Sequence, residues 1–430
     1  MAGKAAVLGL DGTPHSLLTE LIRKGVMPKL GALVKDGVFE PMDSSLPEVS
    51  SVAWSSFMTA SNPGEHGIYG FTELRPGTYS LYFPNSSHIK RETLWDAAGK
   101  AGKSSVVLNV PSTYPARPLA GMLTAGFVAP DLKKATYPDS LYEYLVQVGY
   151  RTDVDTAKAR ESVGFLVDDL KQTLAKRREV MLHFLDNGDW DIFIGVVTET
   201  DRLHHYLWDA YEDEGHPFHG FFLDYYAAID GLVGEFAARV TGKGVPLVMM
   251  SDHGFTRCEQ EVYVNHWLRG NGYLSLSKNP AQSWEDIAAG TRAFTMDPSR
   301  IYINIKGKYP RGAVEPGKEY EELRAELTAR LAGLEVEGKR VLKAVYRKEE
   351  IYSGPCLEQA PDIVLLSERG FDLKGSLAKD ALYGKGFLTG MHTRDDAFFF
   401  CSHDAGDAGT GGMDVAKAGR AVLALLGLGG

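Results

Sequence analysis

Ser50 and Ser51 stand directly ahead of Val52 to Ala60, where apolar Val52, Ala53, Phe57 and Met58 recur at helical spacing. Serine is a strong N-cap residue, so the pair is expected to open that helix. A hydroxyl there lies at the positive end of the helix dipole, beside N–H groups without intrahelical partners. An alkoxide and a bound phosphate both gain from that field. Acidic and imidazole side chains further along fall where they could share a cation. Asp201 and His205 are four residues apart, on one face of a helical turn. Asp252 and His253 are adjacent in an expected strand-to-loop turn. With Asp11 and His392 the chain offers three carboxylates and three imidazoles, a mixed N/O set that suits Zn2+ with three protein ligands per ion and one open position. Two divalent ions would bring +4 against −3 from the carboxylates, and the net +1 favours an anionic substrate and phosphoryl transfer. A serine hydroxyl against such an ion would ionise near neutral pH and act as nucleophile.

These residues need a scaffold. Ala5 to Leu10 is a continuous apolar run, as in buried parallel strands, and it ends at Asp11-Gly12. Asp191 to Val197 runs into Thr198 to His205, and Val245 to Met250 into Ser251-Asp252-His253-Gly254. Each of the three strands thus delivers an acidic residue at its carboxyl end, where open α/β sheets form their sites. Ser104 to Leu108 reads as a fourth strand, ending in Asn109, and Ala397 to Cys401 as another. Helices are expected over His15 to Lys24, Met27 to Lys35, Thr93 to Lys100, Ser140 to Val148, Glu161 to Asn187, Phe218 to Val240 and Val415 to Leu426. Residues 62–90 read as loop-rich, 115–138 as irregular and the glycine-rich run 406–412 as a loop. From 267 to 388 the texture changes to shorter strands, a charged helix over Glu319 to Leu331 and Gly/Pro-rich joints. The expected organisation is a catalytic core over 1–266, an inserted α+β cap over 267–388 and a return to the core over 389–430. The fold class is α/β, an α/β/α sandwich around a mostly parallel sheet.

The 430 residues are 44% hydrophobic and 24% charged, with a net charge of −10. That is ordinary globular composition. No basic patch with interleaved aromatics stands out, which argues against binding of nucleic-acid duplex. Cys258, Cys356 and Cys401 are few, odd in number and far apart, so neither a disulfide framework nor a cysteine-based zinc site is expected. No signal peptide and no membrane-length apolar run is evident. The expectation is a soluble cytoplasmic enzyme with no membrane partner, its oligomeric state open.

Taken together, the motifs resemble the type I phosphodiesterase/nucleotide pyrophosphatase branch of the alkaline phosphatase superfamily. The resemblance rests on Asp11-Gly12 after the first strand, the Ser50 helix followed by Asn62 to Ile68 (NPGEHGI), TETDRLHH with Asp201 and His205, SDHGF with Asp252 and His253, and GMH with His392. NVPSTYP from Asn109, EPGKEYEELRAEL from Glu315 and the terminal helix extend it over nearly the whole chain. It implies one metal held by Asp201, His205 and His392, a second by Asp11, Asp252 and His253, and Ser50 bridging toward both as nucleophile, with Ser51 the alternative if the alignment slips by one. It also implies hydrolysis of a small phosphorylated substrate, a nucleotide among the options, through a covalent intermediate. The ions would be zinc, with manganese the alternative. His204 could replace His205, but i, i+3 matches the motif less well. Nucleotide pyrophosphatases of this family carry a phosphate-clamping Asn about 21 residues after the nucleophile. Here that place falls near Phe71, and Asn109 is the candidate substitute for binding substrate. Rivals on the same frame are a phosphomonoesterase, a phosphomutase or a sulfatase, and from another class a non-catalytic metal- or nucleotide-binding protein. The Pro and Arg of the sulfatase motif are missing after Ser50.

Overall fold

Eight strands build the principal sheet of a computed structural model that describes residues 3–403 and 412–429. In chain order they are β1 (Ala5–Leu10), β2 (Val38–Met42), β3 (Ser105–Val110), β4 (Gly121–Ala125), β5 (Thr136–Tyr137), β6 (Ile192–Val197), β7 (Leu247–Met250) and β8 (Ala397–Cys401). Their order across the sheet is β2-β8-β7-β1-β6-β3-β4-β5. The five from β7 to β4 run parallel, whereas β2, β8 and β5 are antiparallel to their neighbours. Leu10 pairs with Val197 and Gly9 with Met250, so β1, β6 and β7 end level. The segments carrying Asp11, Asp201, Asp252 and His253 therefore leave the sheet along one edge.

The period of two along a strand divides the core. Ala6, Leu8 and Leu10 of β1 pack with Phe193, Val197 and the long helices Val163–Asn187 and His219–Thr241. Ala5 and Val7 face the other way, with Ile194 and Val196, onto the helices Ser50–Thr59 and Val415–Leu425. Helices on both faces explain why these strands are apolar without alternation. The chain has the α/β architecture expected of it.

Several local readings change. Val49, not a serine, is the N-cap of the Ser50–Thr59 helix, and Ser50 and Ser51 form its first turn. The region 115–138 contributes β4 and β5 at one margin of the sheet, strands too short to show a pattern. At the other margin β2 contains Pro41, which an edge strand tolerates. Of the glycine-rich run 406–412, all but Gly412 lies outside the described residues.

The chain divides into two units, one of 1–61, 85–256 and 387–430, the other of 62–84 and 257–386. The second centres on an antiparallel sheet of Ala293–Met296, Arg300–Ile303, Ile363–Ser367 and Leu342–Arg347. The helix Lys318–Leu331 buries Leu323, Leu327 and Leu331 in the same core. Residues 62–84, read from sequence as core loop, join this unit: Tyr79 donates to Asn304 Oδ1 at 2.7 Å, and Arg300 bonds Glu73 at 2.7 Å. Among the described residues no helix is long and apolar enough to cross a membrane.

Candidate active site

All seven residues proposed from sequence as metal ligands or nucleophile lie in the first unit, and the fold gathers them. Asp11 follows β1, and its backbone N–H donates to Val197 O at 2.9 Å, which continues the ladder by one residue. The helix Glu199–Glu212 begins after β6 and carries Asp201 and His205 on one face. Asp252 and His253 follow β7, and His392 sits in the strand Gly390–Thr393. One ligand atom from each of Asp201, His205 and His392 lies within 4.8 Å of the others, and the same holds for Asp11, Asp252 and His253. The two triplets adjoin, because the His253 and His392 rings stack with centroids 3.6 Å apart. Ser50 Oγ is 3.1 Å from His253 Nε2 and 3.3 Å from Asp11 Oδ1.

The imidazoles share one arrangement. Nδ1–H of His392 donates to Glu48 O at 2.9 Å, that of His253 to Gly254 O at 3.0 Å and that of His205 to Gly390 O at 3.1 Å. A carbonyl can only accept, so the proton is on Nδ1; the neutral rings of His205 and His253 turn an Nε2 lone pair inward, and His392 does so once it has lost its second proton. Burial lowers His253 to about 3 and His205 to about 4, which keeps both neutral at physiological pH.

The carboxylates are also divided, one oxygen tied to a fixed donor and one turned toward the cluster. Asp11 Oδ2 accepts the Trp54 indole N–H at 2.9 Å, which leaves Oδ1 toward Ser50. Asp201 Oδ2 accepts from Arg202 at 3.2 Å, and Oδ1 lies 3.2 Å from His392 Nε2. Asp252 Oδ1 accepts the Gly12 N–H at 3.0 Å, while its Oδ2 is buried without a hydrogen-bond partner, 3.4 Å from His253 Nε2. Burial raises Asp252 to about 6, and burial with the charges of Asp252 and Asp201 holds Asp11 well above the usual carboxylate range. Burial acts the same way on Asp201 but is outweighed by His205, His392 and Arg202, and its carboxyl stays well below that range. Inward lone pairs, an orphaned buried oxygen and crowded carboxylates are what divalent cations would satisfy, and the donor types fit zinc or manganese.

The remaining candidates separate. His204 Nδ1–H donates to Gly12 O at 2.9 Å, and its Nε2 accepts from Tyr226 at 2.6 Å, so both nitrogens are used in the core. The Asn109 amide nitrogen donates to Val196 O and Thr198 Oγ1, both at 3.1 Å. Only its acceptor Oδ1 is free, and an acceptor offers nothing to a phosphate oxygen. Cys258 is a buried free thiol outside both triplets, pushed up to about 12 by burial. Trp54 and Arg202, which orient Asp11 and Asp201, were not singled out from sequence. Their only signal was position, Trp54 four residues after Ser50 and Arg202 next to Asp201.

The sequence profile of the type I phosphodiesterase / nucleotide pyrophosphatase family matches residues 5–395. The chain belongs to that family. This type I phosphodiesterase-family protein is therefore a phosphoric ester hydrolase, from a metal-dependent family, with two clusters able to hold metal. A sequence search of curated proteins finds no match. Among solved structures, phosphonoacetate hydrolase from Sinorhizobium meliloti in complex with phosphonoformate is similar, with a TM-score of 0.67 at 18% identity, over 99% of this chain and 96% of that one. An inactive form of murine ectonucleotide pyrophosphatase/phosphodiesterase 5 in complex with AMP gives a TM-score of 0.57 at 15% identity, over 99% and 95%. The human form of that protein gives 0.57 at 13%, over the same shares.

Proposed function

We propose that this family member cleaves phosphodiester or nucleotide-pyrophosphate bonds of a small substrate, with Ser50 as nucleophile and a covalent phosphoryl–Ser50 intermediate. The observation that supports it most is the placing of Ser50 Oγ within 3.3 Å of both Asp11 Oδ1 and His253 Nε2, at the first turn of a helix. That turn directs unpaired N–H groups and the positive dipole end toward an incoming phosphoryl oxygen. Asp201, His205 and His392 would hold one divalent cation and Asp11, Asp252 and His253 another, zinc or manganese; bound there, they would acidify the serine hydroxyl and offset phosphoryl charge. The Ser50 hydroxyl gives up its proton to solvent, its Oγ attacks phosphorus in line, and the opposite P–O bond breaks with its electron pair going to the leaving oxygen. Water then attacks phosphorus and releases the serine. Before attack, His253 and Asp11 hold the Ser50 hydroxyl between them.

Initial rates on bis(p-nitrophenyl) phosphate, p-nitrophenyl phosphate and phosphonoacetate test the reading. Faster diester cleavage is expected, and equal or faster cleavage of either other substrate would replace the diesterase assignment. Ser50→Ala is expected to lose about a thousandfold or more in rate while metal content holds, and Ser51→Ala to lose far less. An acid-quenched reaction should leave a phosphoryl group on the Ser50 peptide by mass spectrometry.

A further inference from the structure

Trp54 lies one helical turn after Ser50 on the same helix, so the two side chains share a face. They grip opposite oxygens of one carboxylate: Ser50 Oγ is 3.3 Å from Asp11 Oδ1, and Trp54 Nε1–H donates to Asp11 Oδ2 at 2.9 Å. The indole is fully buried and closely packed. A Cβ on Gly9 would fall 2.5 Å from its Cη2 atom, and Phe57 packs edge-on with centroids 5.8 Å apart. Indole is a donor only, through one N–H, so the contact admits a single pairing and commits Oδ2. The other carboxylates are oriented by other donors, Arg202 for Asp201 and the Gly12 N–H for Asp252.

We propose that Trp54 is a positioning residue that turns Asp11 Oδ1 toward Asp252 and His253, and so sets the divalent-cation affinity of that triplet without affecting that of Asp201, His205 and His392. This rests on the reading above that both triplets hold cations. A tryptophan kept only for packing would affect the chain as a whole; one that orients Asp11 affects one cluster of two. The distinction is measurable because Asp201 has its own donor.

The test is a zinc titration by calorimetry of the full chain, stripped with chelator, as wild type and as Trp54→Phe, which keeps an aromatic ring and loses the N–H. Wild type is expected to take two equivalents. Trp54→Phe is expected to take one with unchanged affinity and the other about 10- to 100-fold more weakly, the usual effect of removing a partner of a metal ligand. His205→Ala in the Trp54→Phe background identifies the weak site: the equivalent that remains should be the weakened one. Two unchanged equivalents, or equal weakening of both, would overturn the positioning role and leave the two-cation reading intact. A wild type that takes no zinc or manganese would instead remove that reading. Should Trp54→Phe fail to fold, 3-benzothienylalanine at position 54, with sulfur in place of N–H on the same bicyclic frame, carries the same titration.

Discussion

His205 and His392 meet nitrogen to nitrogen, Nε2 to Nε2 at 3.0 Å, while the Nδ1 of each faces a backbone carbonyl. With both Nδ1 atoms protonated, two neutral rings would bring two lone pairs together. The pair is comfortable only when something positive lies against both. Asp201 Oδ1, 3.2 Å from His392 Nε2 and 3.4 Å from His205 Nε2, strengthens that demand. A proton can meet it in part and a divalent cation in full.

This competition makes metal affinity depend on pH. Burial disfavours charge on His392, but its hydrogen bond and attraction to Asp201 outweigh burial and raise its pKa above the ordinary 6.5. In the metal-free protein the proton on His392 thus contributes stability below pH 6.5, and that contribution is lost as pH rises through the raised value. A cation has to displace this proton, so zinc affinity should rise with pH until the ring is already neutral, by about tenfold per pH unit for each proton displaced. Competition with a chromophoric chelator between about pH 6 and pH 8 measures it. A flat profile would mean that the ring holds no proton to displace.

Neighbouring histidines should respond oppositely. His204 is buried between Gly12 O and the Tyr226 hydroxyl, so His204→Ala leaves two polar groups and a cavity in the core. A loss of about 2–4 kcal/mol of stability is expected, with metal content retained in the folded fraction. His205→Ala should cost one metal equivalent and change the chelator-stripped protein's melting temperature little. Elemental analysis beside thermal unfolding separates the two, and loss of metal from His204→Ala alone would exchange their roles.

Legibility in the sequence followed the strength of periodic signals. The apolar runs at β1, β6 and β7 are buried on both faces, and each ends at an acidic residue, so strands and ligands could be read together. The i, i+4 spacing of Asp201 and His205 survived because a helix does open after β6. What could not be read depends on contacts distant in sequence. Val49 rather than a serine stands at the N-cap of the Ser50 helix, with no side-chain cap, so a reading by cap preference starts that helix too late. Segment 62–84 looks like loop until Glu73 meets Arg300, some 227 residues away. Asn109 stood as the candidate substitute for a phosphate-clamping Asn, but its donors are taken by β6 and by Thr198, just beyond that strand.

Acid should destabilise the protein partly through His66. It is fully buried, its Nδ1 accepts the Ile68 N–H at 3.2 Å, and burial lowers its pKa to about 3. The folded value lies below the unfolded one, so the unfolded chain binds the extra proton. Stability is then fully present above pH 6.5 and falls as pH drops from there toward about 3. At about pH 5 this one group should withdraw about 2 kcal/mol. His66→Asn keeps an acceptor near Nδ1 and cannot titrate. Its melting temperature should fall less steeply than wild type between about pH 7 and pH 5, and parallel slopes would rule His66 out.

Two glycine-to-alanine changes of the same size should act in opposite directions. Gly419, on the Val415–Leu425 helix, packs so closely on the Ser50 helix that a Cβ would lie 2.2 Å from Phe57 O. A backbone carbonyl cannot rotate aside, so Gly419→Ala has to push the helices apart at the cost of about 1–3 kcal/mol. The helix that shifts carries Ser50, whose hydroxyl must stay aimed between Asp11 and His253. Turnover on a diester should fall further than the folded fraction does, while the equivalent held by Asp201, His205 and His392, none of which touches that helix through Trp54, is retained. Gly231, inside the His219–Thr241 helix, has nothing within 4 Å of an added Cβ. Gly231→Ala there should stabilise by about 0.5–1 kcal/mol by reducing the freedom of the unfolded chain, and leave turnover alone. Thermal unfolding and diester rates on both variants decide the matter, and Gly419→Ala with wild-type turnover would show that Ser50 tolerates movement of its helix.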